Sequence, residues 1–272
     1  MMLEPTLIAE LAVLGLCTGF LAGLLGIGGG MLLVPFITFI LSSRGVGGDL
    51  AVKMAIATSM ATIVFTSISS VRAHHRRGAV RWDIVKRLAP GIVLGAAVAS
   101  VGVFAVLKGA WLALFFAAFV SFSATQMLLN KKPAPTRTLP GTAGQLASGG
   151  VIGFLSGLVG AGGGFVSVPF MTWCNVSMHH AVATSAALGF PIALANGIGY
   201  VVAGQSVADL PAGSVGYVWL PALGVIACAS VLMAPLGVKA AHALPVPQLK
   251  RVFAVMLYLL ASYMLVRGLS TP

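Results

Sequence analysis

The chain has 272 residues, 58% of them hydrophobic and only 8% charged, with a mean hydropathy of +1.03. These values exclude an ordinary soluble domain and predict an all-α polytopic membrane protein. The formal net charge of +11 would suggest a nucleic-acid partner in a soluble protein. Here the basic residues sit in short loops between apolar runs, so the expected surroundings are a lipid bilayer and no nucleic acid.

The first apolar run is preceded by Glu4 and offers no convincing cleavage site, so it reads as a retained helix. It runs into Gly19 to Phe36, GFLAGLLGIGGGMLLVPF, which returns 134 residues later at Gly153 to Phe170 as GFLSGLVGAGGGFVSVPF, with twelve of eighteen positions identical. An apolar helix that meets three glycines and resumes before Pro35 cannot be continuous. Each copy therefore predicts a broken helix, over 7–41 and over 144–174. Unpaired backbone groups at membrane depth cost several kcal/mol, on the order of 2–7, unless protein or water covers them. Paired breaks in equivalent places of two halves mark the expected substrate site of a transporter. Gly19, Gly23, Gly149, Gly153 and Gly157 instead have the spacing of close helix packing.

After each broken element come three spans, near 53–71, 88–107 and 110–129 in the first half, and near 181–203, 215–237 and 249–267 in the second. The halves are residues 1–129 and 141–272, joined by a polar linker, 130–140, expected in the cytoplasm. Ala57-Thr58-Ser59 recurs as Ala183-Thr184-Ser185, and Pro90 and Pro221 are read as opening equivalent helices.

Loop charge sets the orientation. If each broken element returns to the side on which it began, twelve Lys and Arg lie on the face of the Arg72–Arg87 loop and four on the other. If each crosses once, the split is ten to six, a poorer fit to the positive-inside rule. The favoured arrangement makes the halves inverted repeats in the inner membrane, with both termini on the non-cytoplasmic side.

Of five carboxylates, Asp49, Asp83 and Asp209 fall in loops and Glu4 precedes the first span, which leaves Glu10 as the one that can dip into the membrane. Glu10 reads either as an interfacial residue or as a proton-coupling group. A cation carrier normally holds carboxylates near the midplane, so a small anion is the better-supported cargo. Its candidate binding groups are the backbone at Gly28, Gly29, Gly30, Gly162, Gly163 and Gly164, and the hydroxyls of Thr58, Ser59, Thr184 and Ser185. Asn196 reads equally as interhelical glue or substrate ligand. Lys53 and His179, five residues ahead of each threonine, either mark helix ends or draw anions toward the breaks. His74 and His75 belong with the solvated arginine loop, and Trp82, Trp111, Trp173 and Trp219 with the membrane interfaces. Cys17, Cys174 and Cys228 show no metal-ligand or redox spacing and read as packing residues, so no metal or other cofactor is expected. No catalytic constellation is found, and enzymatic activity is not expected.

The doubled G-x-x-x-G-x-x-G-x-GGG with its Val-Pro, and the doubled Ala-Thr-Ser, resemble the sulfite exporter TauE/SafE family of membrane permeases over essentially the whole chain. The resemblance implies secondary transport, usually export, of sulfur-containing anions such as sulfite or organosulfonates. The motif positions it covers are Gly28 to Gly30, Pro35, Thr58 and Ser59, then Gly162 to Gly164, Pro169, Thr184 and Ser185. Alternative readings are an anion channel and a non-transporting membrane scaffold or sensor. The oligomeric state is not legible.

Overall fold

A computed structural model describes residues 4–25, 29–129, 137–207, 210–243 and 246–270. Ten helices carry the described chain. The first half holds α1 (Pro5–Leu25), α2 (Gly30–Ser43), α3 (Gly48–His75), α4 (Trp82–Val106) and α5 (Gly109–Leu129). The second holds α6 (Thr142–Val159), α7 (Gly164–Trp173), α8 (Met178–Ala203), α9 (Leu220–Ala243) and α10 (Val246–Ser270). Eight of these are long and apolar enough to cross a membrane; α2 and α7 are not among them. Between α8 and α9 a small hairpin pairs β1 (Ser214–Val215) with β2 (Val218–Trp219), which the apolar pattern does not announce.

Each broken element is thus a full span followed by a short helix, of 14 residues in α2 and 10 in α7, or about 21 and 15 Å at helical rise. The break is made by glycine in the left-handed region: Gly29 caps α2 at φ 73° and Gly163 caps α7 at φ 76°. Only glycine enters that region without steric penalty.

Both elements end on the side where they begin. Arg44, after α2, lies 3.7 Å from Glu4, before α1. Arg137, before α6, stacks 4.5 Å from the ring of Trp173 at the end of α7. The exposed ion pair adds little stability, but its position fixes the path of the chain.

The halves pack by exchange. α1 runs along α9 and α6 along α4, while α3 and α8 lie against each other at the centre. The small-residue spacing does what it predicts: a methyl group on Gly19 or Gly23 would enter the backbone of α9 at Ser230 or Ala234, and one on Gly149 or Gly153 that of α4 at Leu88 or Ile92. Gly237, Gly91 and Gly95 reciprocate from the partner helices. Without a strong hydrophobic drive between helices in lipid, this approach supplies the van der Waals contact that holds the pairs.

Four expectations are corrected. His74, expected in the solvated arginine loop, is buried at the end of α3. Pro90 does not open a helix: α4 begins eight residues earlier, at Trp82, and carries Pro90 inside it, so it is no counterpart of Pro221, the second residue of α9. Neighbouring helices cover the backbone groups a proline frees, so transmembrane helices tolerate it. Trp219 is wholly buried rather than interfacial. Cys17 and Cys228 face outward, and Cys174 alone is buried.

Candidate functional site

The two breaks touch at the centre of the molecule. The Ser59 hydroxyl in α3 donates 3.0 Å to the carbonyl of Gly160, in the second break. A Cβ on Gly30 would collide with that same carbonyl and come within 2.9 Å of Ala161 Cα. A residue of the first break therefore lies directly on the backbone of the second, and Ser59 satisfies a carbonyl that the end of α6 leaves open.

Beside this contact runs a narrow cavity between α3 and α8. Ala22 of α1, Ile63, Thr66, Ser67 and Ser70 of α3, and Gly162, Ser185, Ala186 and Gly189 of the second half line it. It offers about 10 Å³ to the centre of a water molecule, room for a single water. No carboxylate, Lys or Arg is among its lining residues. The Thr66 hydroxyl pairs with Ser230 at 2.8 Å, and Ser167 donates to the Ser185 hydroxyl at 2.8 Å. The buried Ser70 hydroxyl finds no hydrogen-bond partner among the described residues. Gly162 sits two residues ahead of α7, so the positive end of that helix adjoins the cavity.

Of the residues singled out from sequence, Ser185 and Gly162 line the cavity, and Ser59, Gly30, Gly163 and Gly164 cluster at the breaks. Gly29 packs on Thr18 of α1. Gly28 lies outside the described residues. Thr58 and Thr184 do not line the cavity and have a reciprocal structural task. Thr58 accepts the backbone N–H of Trp219, at the start of α9, at 3.0 Å. Thr184 accepts that of Arg81, at the start of α4, at 3.1 Å. Each threonine thereby pins the chain where it enters a helix of the other half. Because α4 follows α3, the N-terminal end of α8 lies beside the C-terminal end of α3, and the two central helices are antiparallel.

Lys53 is half-buried; its ammonium donates to the Ala105 carbonyl at 3.2 Å and lies within 6 Å of the Phe104 and Tyr217 rings, at 5.7 and 5.6 Å. That cation–π clamp ties α3 to the end of α4 and to the hairpin. His179, its repeat counterpart, is exposed, while the His180 ring meets the Ala79 carbonyl at 2.8 Å. Asn196 is fully buried, and its amide N–H donates to Ile192 O at 2.9 Å, one turn back. Glu10 is exposed near the start of α1. Thr66, Ser67 and Ser70 are the residues sequence reasoning missed. Their signal was available: Thr58, Thr62, Thr66 and Ser70 recur every four residues, a hydroxyl stripe on one face of α3.

A crossing of two broken helices beside a carboxylate-free crevice that carries several hydroxyls is transporter geometry. A sequence model of the family described as Sulfite exporter TauE/SafE matches residues 11–264. The chain belongs to that family. A "Probable membrane transporter protein" of Haemophilus influenzae is 35% identical over 263 residues, covering 96% of this chain and 99% of the relative. A relative of the same designation, YunE of Bacillus subtilis, is 28% identical over 72% of this chain and 78% of its own. Another, from Methanocaldococcus jannaschii, is 28% identical over 86% of each. No solved structure matches. Family, relatives and eight apolar helices together make this TauE/SafE member a multi-pass membrane transporter.

Proposed function

We propose that this TauE/SafE protein is a secondary carrier that moves a small sulfur-containing oxyanion, such as sulfite or an organosulfonate, across the inner membrane, in the direction of export. The observation that carries the reading is the Ser59 to Gly160 contact joining both breaks next to the cavity of Thr66, Ser67, Ser70, Gly162 and Ser185. Hydroxyls, backbone amides and a helix N-terminus bind an oxyanion without a buried fixed charge. The absence of carboxylates from the lining disfavours a cation. The family description supports the sulfur chemistry and the export direction.

Inverted repeats are supported by the antiparallel α3 and α8, by the reciprocal threonine contacts, and by each broken element turning back on itself. With that path, Arg72, Arg76, Arg77 and Arg81 share a face with Arg137, and the opposite face holds Glu4 and Arg44. The positive-inside rule then puts the arginine face in the cytoplasm and both termini outside.

A sulfur oxyanion has four or more heavy atoms and cannot pass a crevice with room for one water. The site must open before it loads, which favours a carrier with alternating access over an anion channel. Reconstituted protein tests this by counterflow: external labelled sulfite should enter faster into vesicles preloaded with sulfite than into empty ones. Flux that is indifferent to internal substrate identifies a channel, and the absence of flux for sulfite, sulfate, thiosulfate and an alkanesulfonate refutes the proposal.

A further inference from the structure

The cavity described above lies between α3 and α8 beside Ala22 of α1, and the duplication specifies its counterpart in the second half. Adding 134 to Ala22 gives Ser156, and adding 126 to Thr66 and Ser70 gives Ile192 and Asn196. These three come together in space. A Cβ on Gly163 would meet Ile192 Cδ1 and approach the Ser156 hydroxyl at 3.1 Å, and one on Gly157, next to Ser156 on α6, would meet Asn196 Oδ1. Ser156 is 3% exposed and Asn196 0%. The Ser156 hydroxyl and Asn196 Oδ1 have no hydrogen-bond partner among the described residues.

Two unsatisfied polar atoms buried on one helix seam are costly, about 1–3 kcal/mol each, and a packed scaffold would fill these positions with apolar side chains. Their repeat counterparts line a cavity, and one of those, Ser70, is unsatisfied in the same way. Ser70 lies near the C-terminal end of α3 and Asn196 near that of α8. The helices are antiparallel, so the two residues point to opposite faces of the protein.

The geometry points to a second, closed vestibule between α6 and α8, with Ser156 and Asn196 as its polar lining and Ile192 as the apolar plug that seals it. It rests on the carrier reading and extends it: the oxyanion leaves the central breaks along hydroxyl and amide groups on each side in turn. The plug accounts for the asymmetry of the two halves. Thr66 is a hydroxyl in the first vestibule, whereas Ile192 fills the equivalent place in the second and blocks it until α6 and α8 separate.

Single-cysteine labelling tests this in full-length protein whose Cys17, Cys174 and Cys228 are replaced by Ala. Ser70→Cys, Ser156→Cys and Asn196→Cys are each exposed to a membrane-impermeant methanethiosulfonate in sealed vesicles of known orientation. Ser70→Cys should react from the face of the Arg72–Arg87 loop, and the other two from the opposite face, about tenfold more slowly. Adding Ile192→Ala should raise the Ser156→Cys rate several-fold without changing its side. Reaction of all three from one face overturns the proposal, as does inertness of positions 156 and 196 from both faces in protein that labels at position 70. Wild-type flux is measured alongside. Loss of the carrier reading would show as no anion flux, and the sidedness of labelling decides the vestibule independently.

Discussion

Gly30→Ala is the sharpest perturbation of the joint between the two breaks. The added methyl would overlap the Gly160 carbonyl, approach Ala161 Cα at 2.9 Å and crowd the Ser59 hydroxyl at 3.0 Å. Two of these atoms belong to break backbone whose N–H groups are tied to Ser156 O at the end of α6, so α2 must shift away from the second half. Overpacking of this kind costs about 1–3 kcal/mol, and loss of the Ser59 to Gly160 hydrogen bond adds about 1 kcal/mol. By the slope for large domains, a total of about 2–4 kcal/mol corresponds to a drop in Tm of roughly 4–16 °C. Gly224→Ala is the control: a Cβ there meets nothing within 4 Å, and alanine in a helix is expected to be neutral or slightly stabilising. Thermal unfolding of detergent-solubilised protein, followed by the loss of monodisperse material, compares the two. Equal Tm values for Gly30→Ala and Gly224→Ala would refute the claim that the breaks bear on one another.

Thr58→Val should destabilise by about 1–3 kcal/mol, because it leaves the buried N–H of Trp219 without its acceptor, and Thr184→Val by less, because Arg81 is exposed and water can take the place of the lost hydroxyl; Thr→Ser at either position should keep most of the stability, and unfolding midpoints check both. The double valine variant should lose the sum of the single effects, since the two hydroxyls share no partner; a strongly sub-additive result would show that they act as one unit. Gly29→Ala places a side chain at φ 73° and against Thr18, and should cost at least about 1–2 kcal/mol, seen as a lower Tm with little change in membrane insertion. Arg76→Cys and Ser206→Cys, both exposed, should label from opposite faces of sealed vesicles; labelling from one face would contradict the path traced for α3 and α8.

How much of this was legible depends on how local the signal is. Glycine patterns report backbone approach directly, so the breaks before Gly30 and Gly164 and the packing faces at Gly19 and Gly153 could be read from the chain. The distribution of lysine and arginine favours the return of each broken element to its starting side, and the Glu4 to Arg44 and Arg137 to Trp173 contacts agree with that path. The task of Thr58 was not legible. Its donor, Trp219, lies 161 residues away, and nothing in a short motif distinguishes a hydroxyl that holds a loop from one that holds an anion. Pro90 misled for a related reason: its punctuation is reliable in water, where a freed carbonyl is hydrated, and weaker in a bundle, where neighbouring helices shield it. The hydroxyl stripe from Thr58 to Ser70 stood in plain view at helical spacing, but within α3 the apolar residues around it obscured its significance.

The central claim is that the crossing of the two breaks is the route of the transported anion. Labelled sulfite uptake into proteoliposomes containing wild-type protein or Gly162→Leu measures it most directly, because Gly162 lines the cavity together with Ser67, Ser70 and Ser185. The account predicts saturable, counterflow-stimulated uptake by the wild type and at least a tenfold loss in correctly folded Gly162→Leu. Undiminished uptake by that variant would contradict it.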